Sequence, residues 1–399
     1  MQRFLILFLS LFFIPLAWAV DVSMLTPEKR AVLAQKAAAI EAGERRLKYD
    51  WVGELSLSAS ATESKGAGSD ESALSQQAGI GFSQDLFRSG GITGSIRYAS
   101  QWARIERLAL EQEQNGYLEA LASMRLQYEQ DRLRLLQNEH QLKNSEITLF
   151  IKRQQYEAGE TDITQLNDAL RERNALQKTR LELKNTLANR RLELAKLTLL
   201  DPESIALPFY DRPEKETFLN RHLPTRLALA QSDAATTQQG LTASSYLPTL
   251  SATANYGYQQ NEGFAADGDS YSAGLRLVMP LSFTAKAAWQ EKRAEALRAR
   301  SWAQAAKEEA AAFYDQSAGT LANTQERIAL LKENIRLYDQ LIVVTDRAVQ
   351  SGERSRYDLQ MLENTRAIDD YEIRIHEIAL LSERAKLYFA MTQSKAFDE

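Results

Sequence analysis

Leu250-Ser251-Ala252-Thr253-Ala254-Asn255-Tyr256 alternates apolar side chains with small polar ones, a period of two. Successive side chains of a strand point to opposite faces, so this stretch reads as a strand with one apolar and one polar face. The pattern also stands 195 residues earlier, as Leu55-Ser56-Leu57-Ser58-Ala59-Ser60-Ala61. A second alternating run follows each. Ala78, Ile80 and Phe82 share a face in the first; Tyr271, Ala273, Leu275 and Leu277 share one in the second. Polar loops separate the runs, Glu63 to Gln76 and Gln259 to Asp269. Two β-hairpins are therefore expected, at 53–87 and 248–281. A lone hairpin is marginal, and four strands with Ala and Ser on both faces make a poor sandwich core. Closing them into a barrel with strands of other chains removes every edge. Segments of ~9–11 residues with apolar-out, polar-in alternation suit a membrane barrel. A soluble antiparallel sheet is the plainer alternative at this point.

Outside the strands the chain reads as helix. Eight prolines occur, none between residues 28 and 201 and none after 280. The strongest helix breaker is thus missing from two long stretches. Residues 98–157 and 284–350 are rich in Ala, Leu, Glu, Gln, Lys and Arg. A helix of ~60 residues is ~90 Å long, far beyond the usual globular helix. Each tract ends near a glycine, Gly159 or Gly352, suited to a left-handed cap. Returning helices are expected over about 163–200 and 355–393, with apolar stripes of the coiled-coil kind. Asn115-Gly116 and Gly319 read as tolerated weak points or small kinks. Prolines cluster in an irregular middle segment, 201–247, and Thr26-Pro27 starts a helix running toward Lys48. Tyr156-Glu157-Ala158-Gly159-Glu160 lies 193 residues before Val349-Gln350-Ser351-Gly352-Glu353. Landmarks at nearly one offset indicate an internal two-fold repeat. The expected plan is a first repeat, 20–200, with a short N-terminal helix, hairpin 53–87 and helical hairpin 98–200. A second repeat, 201–399, has an equatorial segment 201–247, hairpin 248–281, helical hairpin 284–393 and a short tail.

The N-terminus carries a targeting signal. Met1-Gln2-Arg3 is basic, Phe4 to Leu16 is almost wholly apolar, and Ala17-Trp18-Ala19 fits a small-x-small cleavage pattern. The apolar run is too short to span a membrane as a helix. Residues 1–19 are read as a secretory signal peptide. Net charge is −5, which gives no electrostatic case for nucleic acid. There is no cysteine, hence no disulfide or thiolate metal site. His140, His222 and His376 lack partner spacing, and no phosphate loop, nucleophile elbow or zinc helix appears. No catalytic residue, cofactor or metal is expected.

The order of two copies of hairpin, long helix, glycine turn and returning helix resembles the TolC-like outer-membrane efflux family. Tyr246-Leu247-Pro248-Thr249-Leu250 is similar to its entry into the third strand, and Met279-Pro280-Leu281 to its exit from the fourth. Gln84-Asp85-Leu86-Phe87-Arg88-Ser89-Gly90-Gly91 resembles the exit in the first repeat, and Tyr156-Glu157-Ala158-Gly159 and Gln350-Ser351-Gly352 the two helix-hairpin tips. The resemblance implies an α+β membrane protein and a homotrimer. Four strands per chain would form a 12-stranded transmembrane β-barrel in outer-membrane lipid, continued by a periplasmic α-helical barrel of long coiled-coil hairpins. It implies a passive export channel of a tripartite efflux or type I secretion system in a Gram-negative bacterium. The partners would be a periplasmic adaptor (membrane fusion) protein and an inner-membrane RND or ABC-type pump. It places Asp358 in an acidic ring at the periplasmic gate, Arg354 at the latch that holds the gate closed, and Gly159 and Gly352 at the tips that meet the adaptor. Val349, Met361 and Gln165 stand where the family has a latch tyrosine and two further acids. Only about 30 mature residues precede Leu55, where the family carries a helical pair. The alternative is a periplasmic coiled-coil adaptor or structural protein, which would carry one hairpin between β-domains and an inner-membrane anchor.

Overall fold

The computed structural model describes residues 20–65, 72–261 and 267–393. The signal segment 1–19 lies outside them, as do parts of both hairpin loops. Helix α1 spans Pro27–Tyr49, then strands β1 (Leu55–Lys65) and β2 (Ser72–Phe87), then helices α2 (Gly91–Glu157) and α3 (Ile163–Ala195). Short helices α4 (Lys215–Arg221) and α5 (Leu223–Ser244) follow. Strands β3 (Thr249–Asn261) and β4 (Gly268–Val278) and helices α6 (Ala285–Gln350) and α7 (Arg356–Phe389) repeat the earlier order. The strands run further into the loops than the composition suggested, because β1 and β2 pair without a break from Leu55↔Phe82 to Lys65↔Ser72. Helix α2 also starts earlier than expected. Ser89 and Gly90, both at positive φ, end β2 in a tight turn, and the Gly94 amide donates to the Gly90 carbonyl at 3.0 Å.

Two compact units interleave along the chain. One comprises Val32–Gln112 and His222–Ala310 and holds the sheet. Its four strands lie in the order β1-β2-β3-β4, every neighbour antiparallel. One register, shifted only between Asp85 and Phe87 of β2, carries all four alternations onto common faces. Leu57, Ile80, Tyr256 and Tyr271 form one cross-strand row, and Leu55 and Phe82 with Ala254 and Ala273 the next. The opposite face carries Ser58, Gly79, Gly257 and Ser270, then Ser56, Gly81, Asn255 and Ser272. Beside the sheet, Glu44 on α1 pairs with Arg107 on α2, and α5 lays Ala228 against Ala303 and Ala306 of α6. Alanine at these positions lets the two backbones approach closely. His222 caps α5. Its ring bonds the Thr225 hydroxyl at 2.8 Å, and that hydroxyl donates to the Ala306 carbonyl at 3.0 Å.

The other unit comprises residues up to 31, 113–221 and from 311 on. Here the proline-rich segment forms an aromatic core with the helices. Tyr210 stacks on Tyr388 at 4.3 Å, and Phe218, fully buried, packs against Phe313 and Tyr314. Arg125, buried on α2, donates to the Ile205 carbonyl at 2.8 Å and pairs with Glu129, which also holds Arg132. Burial alone would raise the Glu129 carboxyl. The hydrogen bonds and charges of Arg132 and Arg125 outweigh it, and the group lies below its ordinary value. Both Asn115-Gly116 and Gly319 lie inside continuous helix. Asn115 is more than a weak point: its buried amide donates to the carbonyls of Phe389 and Met391, both at 3.0 Å, and so caps the end of α7.

Candidate functional site: the sheet faces and the helix tips

The sheet presents its apolar face bare. Every residue of β1 and of β4 is exposed, with Leu57 at 82% and Tyr271 at 88%. An apolar surface of this extent in water is unfavourable at roughly 25 cal/mol per Å². Lipid removes that cost on one face, while the hydroxyl and amide face requires water. Among the described residues the outer edges of β1 and β4 have no strand partner, which leaves their backbone groups unpaired with a strand.

The tips are built alike. At Gly159, φ +74, the Glu160 amide donates to the Gln155 carbonyl and the Gly159 amide to Tyr156. At Gly352, φ +79, Glu353 donates to Ala348 and Gly352 to Val349. Both are Schellman caps, and positive φ is what calls for glycine there. Three residues on, Asp162 caps α3 by accepting from the Thr164 and Gln165 amides. Ser355 does the same for α7, and Asp358 closes a capping box by accepting from the Ser355 amide at 3.3 Å. Gln165, matching Asp358 in offset, instead accepts from Lys152 at 2.8 Å. The Arg354 amide bonds the Ala348 carbonyl. The Arg354 side chain is exposed and makes no ion pair with a described residue, Asp358 included. The structure therefore gathers Asp358, Arg354 and Gly352 at one tip but, among the described residues, joins the Asp358 side chain only to its own helix start. The two tips meet through Phe150 of α2 and Tyr357 of α7, ring centroids 5.3 Å apart.

A polar seam behind the tips went unread in the sequence. Gln130, Gln137 and Asn144 of α2 donate to the carbonyls of Ile375, Ile368 and Met361 of α7, each at 3.3 Å. The donors are seven residues apart, and so are the acceptors in reverse, the signature of an antiparallel coiled coil. His140 and Asn364 add a bond of 2.9 Å between them. The amide spacing 130, 137, 144 was the available signal.

Comparison with known proteins agrees with this architecture. Residues 30–198 match the family model described as outer membrane efflux protein. No curated protein matches the sequence. Among solved structures, the outer membrane protein VceC of Vibrio cholerae superposes with a TM-score of 0.74 at 16% identity, covering 92% of this chain and 94% of that one. The open state of the Neisseria gonorrhoeae MtrE outer membrane channel gives 0.65 at 14% identity, covering 90% and 85%. The Campylobacter jejuni CmeC outer membrane channel gives 0.63 at 13%, covering 94% and 86%. At such identities the structures speak for the fold. The family match over 30–198 and the fold shared over nine-tenths of the chain coincide: residues 30–198 match the outer membrane efflux protein family, and the chain has the fold of these outer membrane channels.

Proposed function

We propose that the chain forms a passive homotrimeric channel in the outer membrane, taking substrate from an inner-membrane pump through a periplasmic adaptor. The observation that carries this reading is the four-stranded sheet with one bare apolar face, one polar face and two open edges. Three such sheets, edge to edge, would close a twelve-stranded barrel with lipid outside and water inside. The helices support the same assembly. On α6, Leu330, Leu337 and Val344 recur every seventh residue and are 63%, 53% and 63% exposed. A heptad stripe of this kind is the unfilled side of a coiled coil, and a second copy of the chain is its natural occupant.

In this reading the tips around Gly159 and Gly352 receive the adaptor, and three copies of Asp358 form an acidic ring at the periplasmic entrance. A ring of carboxylates in a narrow pore attracts cations and repels anions. Arg354, which makes no ion pair with a described residue, would be free to hold a neighbouring protomer and latch the closed state. The family match over residues 30–198 supports a channel rather than an enzyme, and in this reading the pump supplies the energy. Fractionation of the native host followed by mass measurement of the detergent-extracted protein tests the assembly. A trimer in the outer-membrane fraction is expected; a soluble periplasmic monomer overturns the proposal.

A further inference from the structure

We infer that Arg276 is a pore-lining charge that favours anions where the strands meet the helices, an inference that rests on the channel reading above. The polar face is uncharged over four successive cross-strand rows. From the loop end these are Ser60-Gln77-Gln259-Gly268, Ser58-Gly79-Gly257-Ser270, Ser56-Gly81-Asn255-Ser272 and Ser83-Thr253-Gly274. Hydroxyls in these rows turn onto the wall: Ser56 donates to the Gly81 carbonyl at 3.2 Å and Ser270 to that of Gly257 at 3.4 Å. Among the paired strand residues these rows are thus electrically neutral, with exposed Glu54 flanking the fourth row just before β1.

The fifth row, Asp85-Ser251-Arg276, breaks that pattern. It lies at the end of the sheet from which α2 and α6 depart. Its two charges do not cancel. Asp85 is half-buried and pairs with Arg88, Nε to carboxylate 3.4 Å. Arg276 is exposed and makes no ion pair with any described residue. It stands two strands from Asp85, roughly 10 Å across the backbone. The row with Arg88 therefore carries one unbalanced positive charge per chain, and three per trimer. A guanidinium offers five donors in a planar fork, matched to carboxylate and phosphate oxygens.

Planar-bilayer recording across a salt gradient separates the possibilities. At about 0.01 M salt the screening length is roughly 30 Å, enough to reach the axis of a barrel of this size, whereas at 1 M it is roughly 3 Å. Arg276→Gln is expected to lower the anion-over-cation permeability ratio roughly twofold or more at low salt, and Arg276→Glu further. Asp85→Asn, which leaves Arg88 and Arg276 both unbalanced, is expected to raise it. Opposite signs distinguish a charge effect from a disturbed wall. Both shifts should vanish at 1 M. Conducting variants with unchanged ratios at low salt overturn the role of Arg276 alone. A wild-type protein that opens no pore overturns this inference together with the channel reading.

Discussion

The Asp358 carboxylate sits at the third position of α7, accepting from the Ser355 amide at 3.3 Å. A purely local role would make the charge dispensable, because an asparagine oxygen can also accept. Asp358→Asn should leave the melting temperature nearly unchanged, a cost under about 1 kcal/mol, while weakening the cation selectivity of the pore. Unchanged reversal potentials would reduce Asp358 to a cap. Asn115 has the larger structural stake, since its buried amide serves two carbonyls of the α7 terminus. Asn115→Leu should destabilise the fold by roughly 1–3 kcal/mol, read from the unfolding midpoint. A midpoint equal to wild type would deny it the capping role. His222 gives a pH dependence. Burial pushes its imidazole down from 6.5 to about 4, so the folded chain binds fewer protons than the unfolded chain between those values. Stability then rises with pH through that window and is lost as pH falls from about 6.5 toward 4, by up to roughly 3 kcal/mol. In His222→Asn that loss should shrink, measured as urea midpoints at about pH 7 and pH 4.5. An equal loss in the variant would place the titration elsewhere.

Among the elements, the strands were the most legible. Alternation of period two is local information, and a one-residue slip would move every apolar side chain to the wrong face. Leu55, Ile80, Tyr256 and Leu275 could thus be assigned to one face before any pairing was known. The pairing of β2 with β3, across α2 to α5, could not, because no local pattern states which hairpin edges meet. The face assignment makes a sharp prediction on adjacent residues of β4. Ala273→Arg puts a charge on the apolar face and should cost roughly 2–4 kcal/mol in a bilayer near the midplane. Ser272→Arg, on the polar face, should insert normally. Comparing the yield of folded, membrane-inserted protein checks this, and equal yields would refute the assignment. The helix tips were legible through Gly159 and Gly352, whose positive φ leaves a residue-type signature. The α2–α7 seam was not, because Gln130, Gln137 and Asn144 bond to backbone carbonyls of Ile375, Ile368 and Met361. A side chain that recognises backbone leaves no complementary residue type on the other helix. Asn115 was misjudged for the same reason.

On the scale of the molecule, a single chain is unfinished. Its sheet has two open edges, its apolar face is bare and α6 carries an unfilled heptad stripe. In the proposed channel each deficiency would be met by the same addition, further copies placed around one axis. The exposed surfaces that would trouble a monomer are those an oligomeric membrane channel buries in lipid or between subunits. The proposed roles of the tip charges and of the Arg276 row depend on that assembly, since one carboxylate or one guanidinium in open water selects little. The most direct measurement is planar-bilayer recording of the purified, full-length protein, with its oligomeric state determined on the same preparation. Insertion as a trimer that conducts in discrete steps is the predicted result. A preparation that stays monomeric and never conducts, with correctly folded sheet and helices, would contradict it.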